Sequence, residues 1–157
     1  MNSIDTGRRQ ALKTGGSFAV VVAAVSAGVL PASAFADWNK AAFDAKSLND
    51  VVKALGGSAV EKSGDIAITA PDIAENGAVV PVGATSKLPN TTEIYLIVEK
   101  NPMPLSCGFI IPAGTAPDVQ TRLKMGQSSN VIAVVKADGK LFSATKETKV
   151  TLGGCGG

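Results

Sequence analysis

Histidine is absent from this chain, and cysteine occurs only twice, at Cys107 and Cys155. Without an imidazole, no Ser-His or Cys-His nucleophile pair can form within the chain. Three-histidine and His-carboxylate metal sites are excluded too, and two cysteines fall short of the four Cys/His ligands of a structural zinc site. Glycine-rich phosphate loops are missing: Gly56-Gly57 follows a helical pattern, where a phosphate loop would precede one. There is no repeating β-α-β pattern, which disfavours a Rossmann-type sheet. The apolar run at residues 18–30 is well short of the ~20 residues of a spanning helix.

That run belongs to a segment to be set aside before a fold is argued. Arg8-Arg9 lie in a polar start, Lys13 follows, and Ala34-Phe35-Ala36 offers a small-x-small cleavage site. The pattern predicts a twin-arginine signal peptide over residues 1–36, cleaved before Asp37, with the product exported to the periplasm in folded form. No cysteine lies at the cleavage site, so a lipid anchor is not expected, nor is a stable membrane association. Removing Asp5, Arg8, Arg9 and Lys13 leaves twelve of the fifteen Lys and Arg and twelve of the thirteen Asp and Glu. The remainder is formally neutral, with Arg122 its one arginine. Nothing there supplies the clustered positive charge that nucleic-acid phosphates require.

From residue 37 to 57 the pattern is helical. Trp38, Ala42, Ala45, Leu48, Val52 and Leu55 recur at steps of three or four. Ser47 and Asp50 resemble a capping box, so two short helices are expected, with Gly56 in a left-handed C′ position. Beyond Ser58 come short β-type runs at residues 66–69, 79–84, 93–99, 105–111, 118–125, 130–137, 140–145 and 149–152, separated by turn residues. Asn76-Gly77 predicts a tight turn with positive φ, Asp138-Gly139 a two-residue hairpin, and Pro81 an edge strand. The whole predicts a mainly β chain. An immunoglobulin-like antiparallel β-sandwich over residues 58–152 follows the helical segment, without the disulfide of antibody domains.

The chain then runs into Gly153-Gly154-Cys155-Gly156-Gly157. Four glycines around one cysteine resist fixed structure, which predicts a flexible arm with a thiol near its tip. From Val150, five residues extend at most ~16 to 18 Å, enough to place the thiol in a recessed pocket. The nearest cations in sequence are Lys146 and Lys149, so Cys155 has little help toward ionisation from a thiol pKa near ~8.5. It is equipped as a carrier that partners activate rather than as a catalyst. Cys107, in Ser106-Cys107-Gly108-Phe109-Ile110-Ile111, reads as a buried thiol, while a disulfide to Cys155 is the other reading of the pair.

The terminal Lys149-Val150-Thr151-Leu152-Gly153-Gly154-Cys155-Gly156-Gly157 resembles that of the SoxY family, sulfur carriers of the periplasmic thiosulfate-oxidising (Sox) system. Ala74-Glu75-Asn76-Gly77-Ala78-Val79-Val80-Pro81-Val82, Glu99-Lys100-Asn101-Pro102 and Asp138-Gly139-Lys140-Leu141 are similar to internal stretches of the same family. The resemblance implies that Cys155 carries covalent sulfur intermediates, without other cofactor, on an arm made of Gly153, Gly154, Gly156 and Gly157. It implies a heterodimer with SoxZ. It further implies service to a haem-containing coupling enzyme (SoxAX), a sulfate-releasing hydrolase (SoxB) and a sulfur dehydrogenase (SoxCD). Cys107 has no counterpart in the family motif. Two rivals stand beside this reading. A ubiquitin-like carrier with a C-terminal thiocarboxylate would need ATP-dependent adenylation, which export makes implausible. An immunoglobulin-like structural subunit would use its terminal cysteine to link two chains.

Overall fold

The computed structural model describes residues 39–151. It starts with two short helices, α1 (Lys40–Asp44) and α2 (Leu48–Ala54). Asn39 caps α1, its side-chain oxygen accepting from Ala42 N at 3.1 Å. Ser47 caps α2 through its hydroxyl oxygen, which accepts from Asp50 N at 3.2 Å and donates to the Asp50 carboxylate at 2.6 Å. The helix stops as Gly56 turns left-handed at φ 82°, and Gly57 N and Gly56 N close back onto Val52 O and Lys53 O, both at 3.0 Å. These are the paired bonds of a Schellman end. No helix among the described residues is long and apolar enough to cross a membrane.

Nine strands follow among the described residues: β1 (Glu61–Lys62), β2 (Ile66–Thr69), β3 (Ile73–Ala74), β4 (Val80–Ser86), β5 (Thr91–Val98), β6 (Leu105–Ile110), β7 (Asp118–Leu123), β8 (Ser129–Ala137) and β9 (Lys140–Val150). They form two sheets. The larger runs β1-β9-β8-β5-β6, with β3 also on β9, and the smaller runs β2-β4-β7. The mainly β, two-sheet fold is the one expected. Its departure from an all-antiparallel sandwich lies in β1 and β3, which pair with β9 in parallel.

Burial explains the texture of the sequence. Ile94, Leu96 and Val98 of β5, with Val131, Ala133 and Val135 of β8, face the smaller sheet and pack on Val80, Val82, Ala84 and Leu123. The alternate residues Ile97, Ile132 and Val134 face the other way and pack under Ala42, Val51, Val52 and Leu55 of the helical segment. Both faces of the two central strands are therefore covered, which is why they read as continuous apolar runs rather than as alternation.

Three local expectations are corrected. Pro81 lies on β4, the middle strand of its sheet, not on an edge strand. The overlap of β4 with β2 covers only Gly83 to Ser86, so at Pro81 the strand has a partner, Arg122, on one side alone and a missing N–H costs no ladder bond on the other. Asn76-Gly77 is not a positive-φ turn, since Gly56, Gly114 and Gly139 are the glycines with positive φ among the described residues. Asn76 instead folds the chain itself, its side-chain oxygen accepting from Ala78 N at 2.9 Å. The runs at 140–145 and 149–152 join in one strand, β9, because β8 pairs with it from Lys140 to Thr148 without a break. Asp138-Gly139 does form the expected two-residue turn, with φ of 50° and 74°.

Candidate functional site

Cys155, Gly153, Gly154, Gly156 and Gly157 lie outside the described residues. What the structure provides is the ground from which that segment departs, the end of β9. Antiparallel pairing with β8 stops at Ser129 opposite Thr148, yet β9 continues to Val150. On the β8 side the Ser128 side chain replaces the missing ladder. Its hydroxyl oxygen accepts from Val150 N at 2.9 Å and donates to Val150 O at 3.4 Å. On the opposite side β3 supplies the partners, Asp72 O accepting from Lys149 N at 2.9 Å and Ala74 O from Thr151 N at 3.1 Å. The Thr151 hydroxyl also donates to Glu75 O at 3.4 Å.

The two flanking loops are themselves fixed. Lys146 of β9 donates to Ala70 O at 2.6 Å and pairs with the Asp72 carboxylate at 3.2 Å, tying the approach to β3 against the strand. Asn101 binds the other loop, donating to Lys124 O at 2.8 Å and accepting from Gly126 N at 3.3 Å. Met125 N donates to Gly77 O at 2.7 Å, joining the loops to each other. Gly77 is needed there for room: a Cβ would stand 2.5 Å from Met125 O and 2.8 Å from Val150 Cγ1. Two of the internal stretches singled out in the sequence, 74–82 and 99–102, thus meet at the end of β9. The third, at Asp138-Gly139, forms the hairpin from which β9 starts.

This arrangement bears on the chemistry available to Cys155. Lys146, one of its two nearest cations in sequence, is engaged with Asp72 and Ala70. Cys107 is a free thiol on β6, half-buried, opposite Leu96 and packed against the core between the sheets. Burial pushes its pKa up to about 11, with a backbone hydrogen bond from Leu96 acting in the opposite direction. It is less enclosed than its apolar run implies, and its raised pKa keeps it an unionised thiol at neutral pH. Among the described residues no group of three or more His, Cys, Asp or Glu is placed to hold a metal ion.

Sequence reasoning missed Ser128 and the role of β3. A lone serine in a polar loop carries no signal of what it will face, and a two-residue strand is too short for any periodicity. Gly77 was visible but was assigned to a turn instead of a close approach.

The family described as "Sulfur oxidation protein SoxY" matches residues 51–155, a stretch that takes in Gly153, Gly154 and Cys155. Among solved structures, the sulfur carrier protein SoxY from Chlorobium limicola f thiosulfatophilum is 38% identical, with a TM-score of 0.62. That alignment covers 73% of this chain and 100% of the other. Two superoxide reductase (neelaredoxin) structures from Ignicoccus hospitalis also align. One, of a variant protein, is 24% identical at TM-score 0.48, covering 55% of this chain and 79% of that one. The other is 19% identical at TM-score 0.49, covering 59% and 95%. No curated protein matches the chain. With a family match over most of its length and a fold shared along the whole of a sulfur carrier, the chain belongs to the SoxY family of sulfur oxidation proteins.

Proposed function

We propose that this protein is the covalent carrier of sulfur intermediates in thiosulfate oxidation, with Cys155 as the attachment point. The observation that carries the reading is the family match that extends through Cys155, combined with a strand held in place as far as Thr151, four residues before it. The body then supplies a fixed base and the glycine-flanked segment a narrow, adaptable tip. With no histidine in the chain, the thiolate chemistry has to be completed by partners.

In this reading the haem-containing coupling enzyme (SoxAX) joins the Cys155 thiolate to thiosulfate. An S–S bond forms to give a cysteine S-thiosulfonate, and two electrons pass to the enzyme. A hydrolase (SoxB) then adds water to the terminal sulfone, releasing sulfate and leaving a persulfide on Cys155. A sulfur dehydrogenase (SoxCD) oxidises that remaining sulfane sulfur. The carrier works in the periplasm after twin-arginine export directed by residues 1–36 as a cleaved signal, bound to SoxZ as a heterodimer. A folded export route suits a chain that leaves with its partner already in place.

The test is intact-mass spectrometry of the SoxZ-bound protein after incubation with thiosulfate and the coupling enzyme. A thiosulfonate adduct mapping to Cys155, absent in Cys155→Ser, is the expected outcome. An unmodified Cys155, or sulfur attached to the Gly157 carboxyl instead, would end the reading. Cys155→Ser should abolish thiosulfate-dependent respiration while the protein still folds and binds SoxZ.

A further inference from the structure

We infer that Ser128 is a positioning residue for the carrier segment: its hydroxyl clamps Val150 and fixes the point on β9 from which that segment departs. The inference rests on the carrier reading for its functional consequence, though not for its geometry. A β-strand that outruns its antiparallel partner normally frays, because its N–H and C=O groups on that side lose their ladder partners. Here β8 ends at Ser129, and one side chain takes both orphaned groups of Val150, N–H at 2.9 Å and C=O at 3.4 Å. Backbone acceptors Asp72 O and Ala74 O serve the alternate residues, Lys149 and Thr151, on the other side. The strand is consequently gripped from both directions at Val150.

The surroundings show that the clamp is built rather than incidental. Asn101 braces the loop that carries Ser128, Met125 N ties that loop to Gly77, and Gly77 leaves the space that Val150 Cγ1 occupies. Met125 is fully buried in the core between the sheets and Val150 packs against that core, so the clamp is continuous with the rigid body. Together these contacts hold one point of one strand. From Thr151, four residues reach Cys155, a leash of at most ~14 Å. Releasing Val150 would blur both the origin and the direction of that leash. The thiol would then sample a larger volume, and its effective concentration at a docked enzyme would fall. Docking itself would not change, since the surface outside the clamp is untouched.

The experiment uses the full SoxZ-bound carrier in three forms: wild type, Ser128→Ala and Ser128→Thr. Amide hydrogen exchange is measured at Val150 and Thr151, and loading by the coupling enzyme with thiosulfate is followed by intact mass. Ser128→Ala is expected to speed exchange at Val150 about tenfold, the effect of losing one hydrogen bond, while the β5 and β8 amides keep their protection. Its kcat for loading is expected to fall about tenfold with KM for the carrier unchanged. Ser128→Thr, which retains the hydroxyl, restores both. Unaltered exchange at Val150 in Ser128→Ala would overturn the clamp. Faster exchange with normal loading would overturn the positioning role alone. A wild-type carrier that takes up no sulfur would overturn the carrier reading and the positioning role with it, leaving the exchange result to judge the clamp.

Discussion

The ring of Tyr95 on β5 lies over Gly108 on β6, so close that a Cβ on Gly108 would stand 2.8 Å from two ring carbons. The ring fills the gap left by the missing side chain on a strand that ends its sheet. Its hydroxyl donates to Glu93, which also receives Lys136 Nζ at 3.0 Å. Gly108→Ala should push the ring off this seat and cost about 1–2 kcal/mol, as modest overpacking does. Urea denaturation of Gly108→Ala, Tyr95→Leu and the double variant would measure it. The double variant should lose less than the sum of the singles, and strict additivity would show that ring and glycine do not communicate.

Tyr95 also predicts a pH dependence. Burial, followed by the hydrogen bond to Glu93 and its negative charge, raises its pKa well above the usual phenol value. A group with a raised folded pKa contributes stability that is complete below the unfolded pKa, near ~10, and is lost as pH rises through the folded one. Tyr95 is the one tyrosine in the chain, so tyrosinate absorbance reports it alone. The native protein should show no ionisation step near pH ~10, and Glu93→Gln should bring the step down. A native midpoint near the ordinary value in the wild type would contradict the burial of the hydroxyl, and a midpoint that Glu93→Gln leaves in place would contradict the contact with Glu93.

How much of this was legible in the sequence depends on what each residue's neighbours reveal. Ser47 with Asp50, and Gly56, marked the limits of α2 because capping is local chemistry, settled within a few residues. The Asp138-Gly139 turn was legible for the same reason. β5 and β8 stood out as apolar runs, yet their two-sided burial depends on α2 and on the second sheet, which no window around them contains. Pro81 was misplaced because its strand has a partner on only one side at that residue, a fact of how far β2 extends. At the candidate site Cys155 and its glycines were evident by composition. Ser128 was not, because its role is created by Val150, 22 residues away.

Cys107 and Cys155 should separate cleanly by reactivity. Half-buried Cys107, its pKa raised to about 11, stays a thiol across the neutral range, and the stability it lends as a thiol is complete below the unfolded pKa, near ~8.5, and is lost as pH rises from there through the folded value. A disulfide-exchange reagent at pH ~8 should modify one thiol per chain in the native protein and a second only after denaturation. The native site should vanish in Cys155→Ser and persist in Cys107→Ala. Cys107→Ala should also load with thiosulfate normally. Rapid modification of two thiols in the native wild type would place Cys107 within reach of solvent and reopen its role.

Gly77 offers a harder perturbation of the arm's base than any surface change. The Cβ of Gly77→Ala would meet Met125 O at 2.5 Å and Val150 Cγ1 at 2.8 Å. The first of these atoms is backbone, held by the loop that Asn101 braces, so it is the Val150 side that should yield. A loss of about 1–3 kcal/mol is expected from such overpacking, seen as a lower urea midpoint. The strain is not conformational, because Gly77 does not have the positive φ that excludes alanine elsewhere. That distinction is testable with a compensating change. Val150→Ala in the Gly77→Ala background removes the methyl group that the new Cβ meets and should recover part of the lost stability. If the double variant is no more stable than Gly77→Ala, the contact with Met125 O, and not the packing of Val150, governs this corner of the fold.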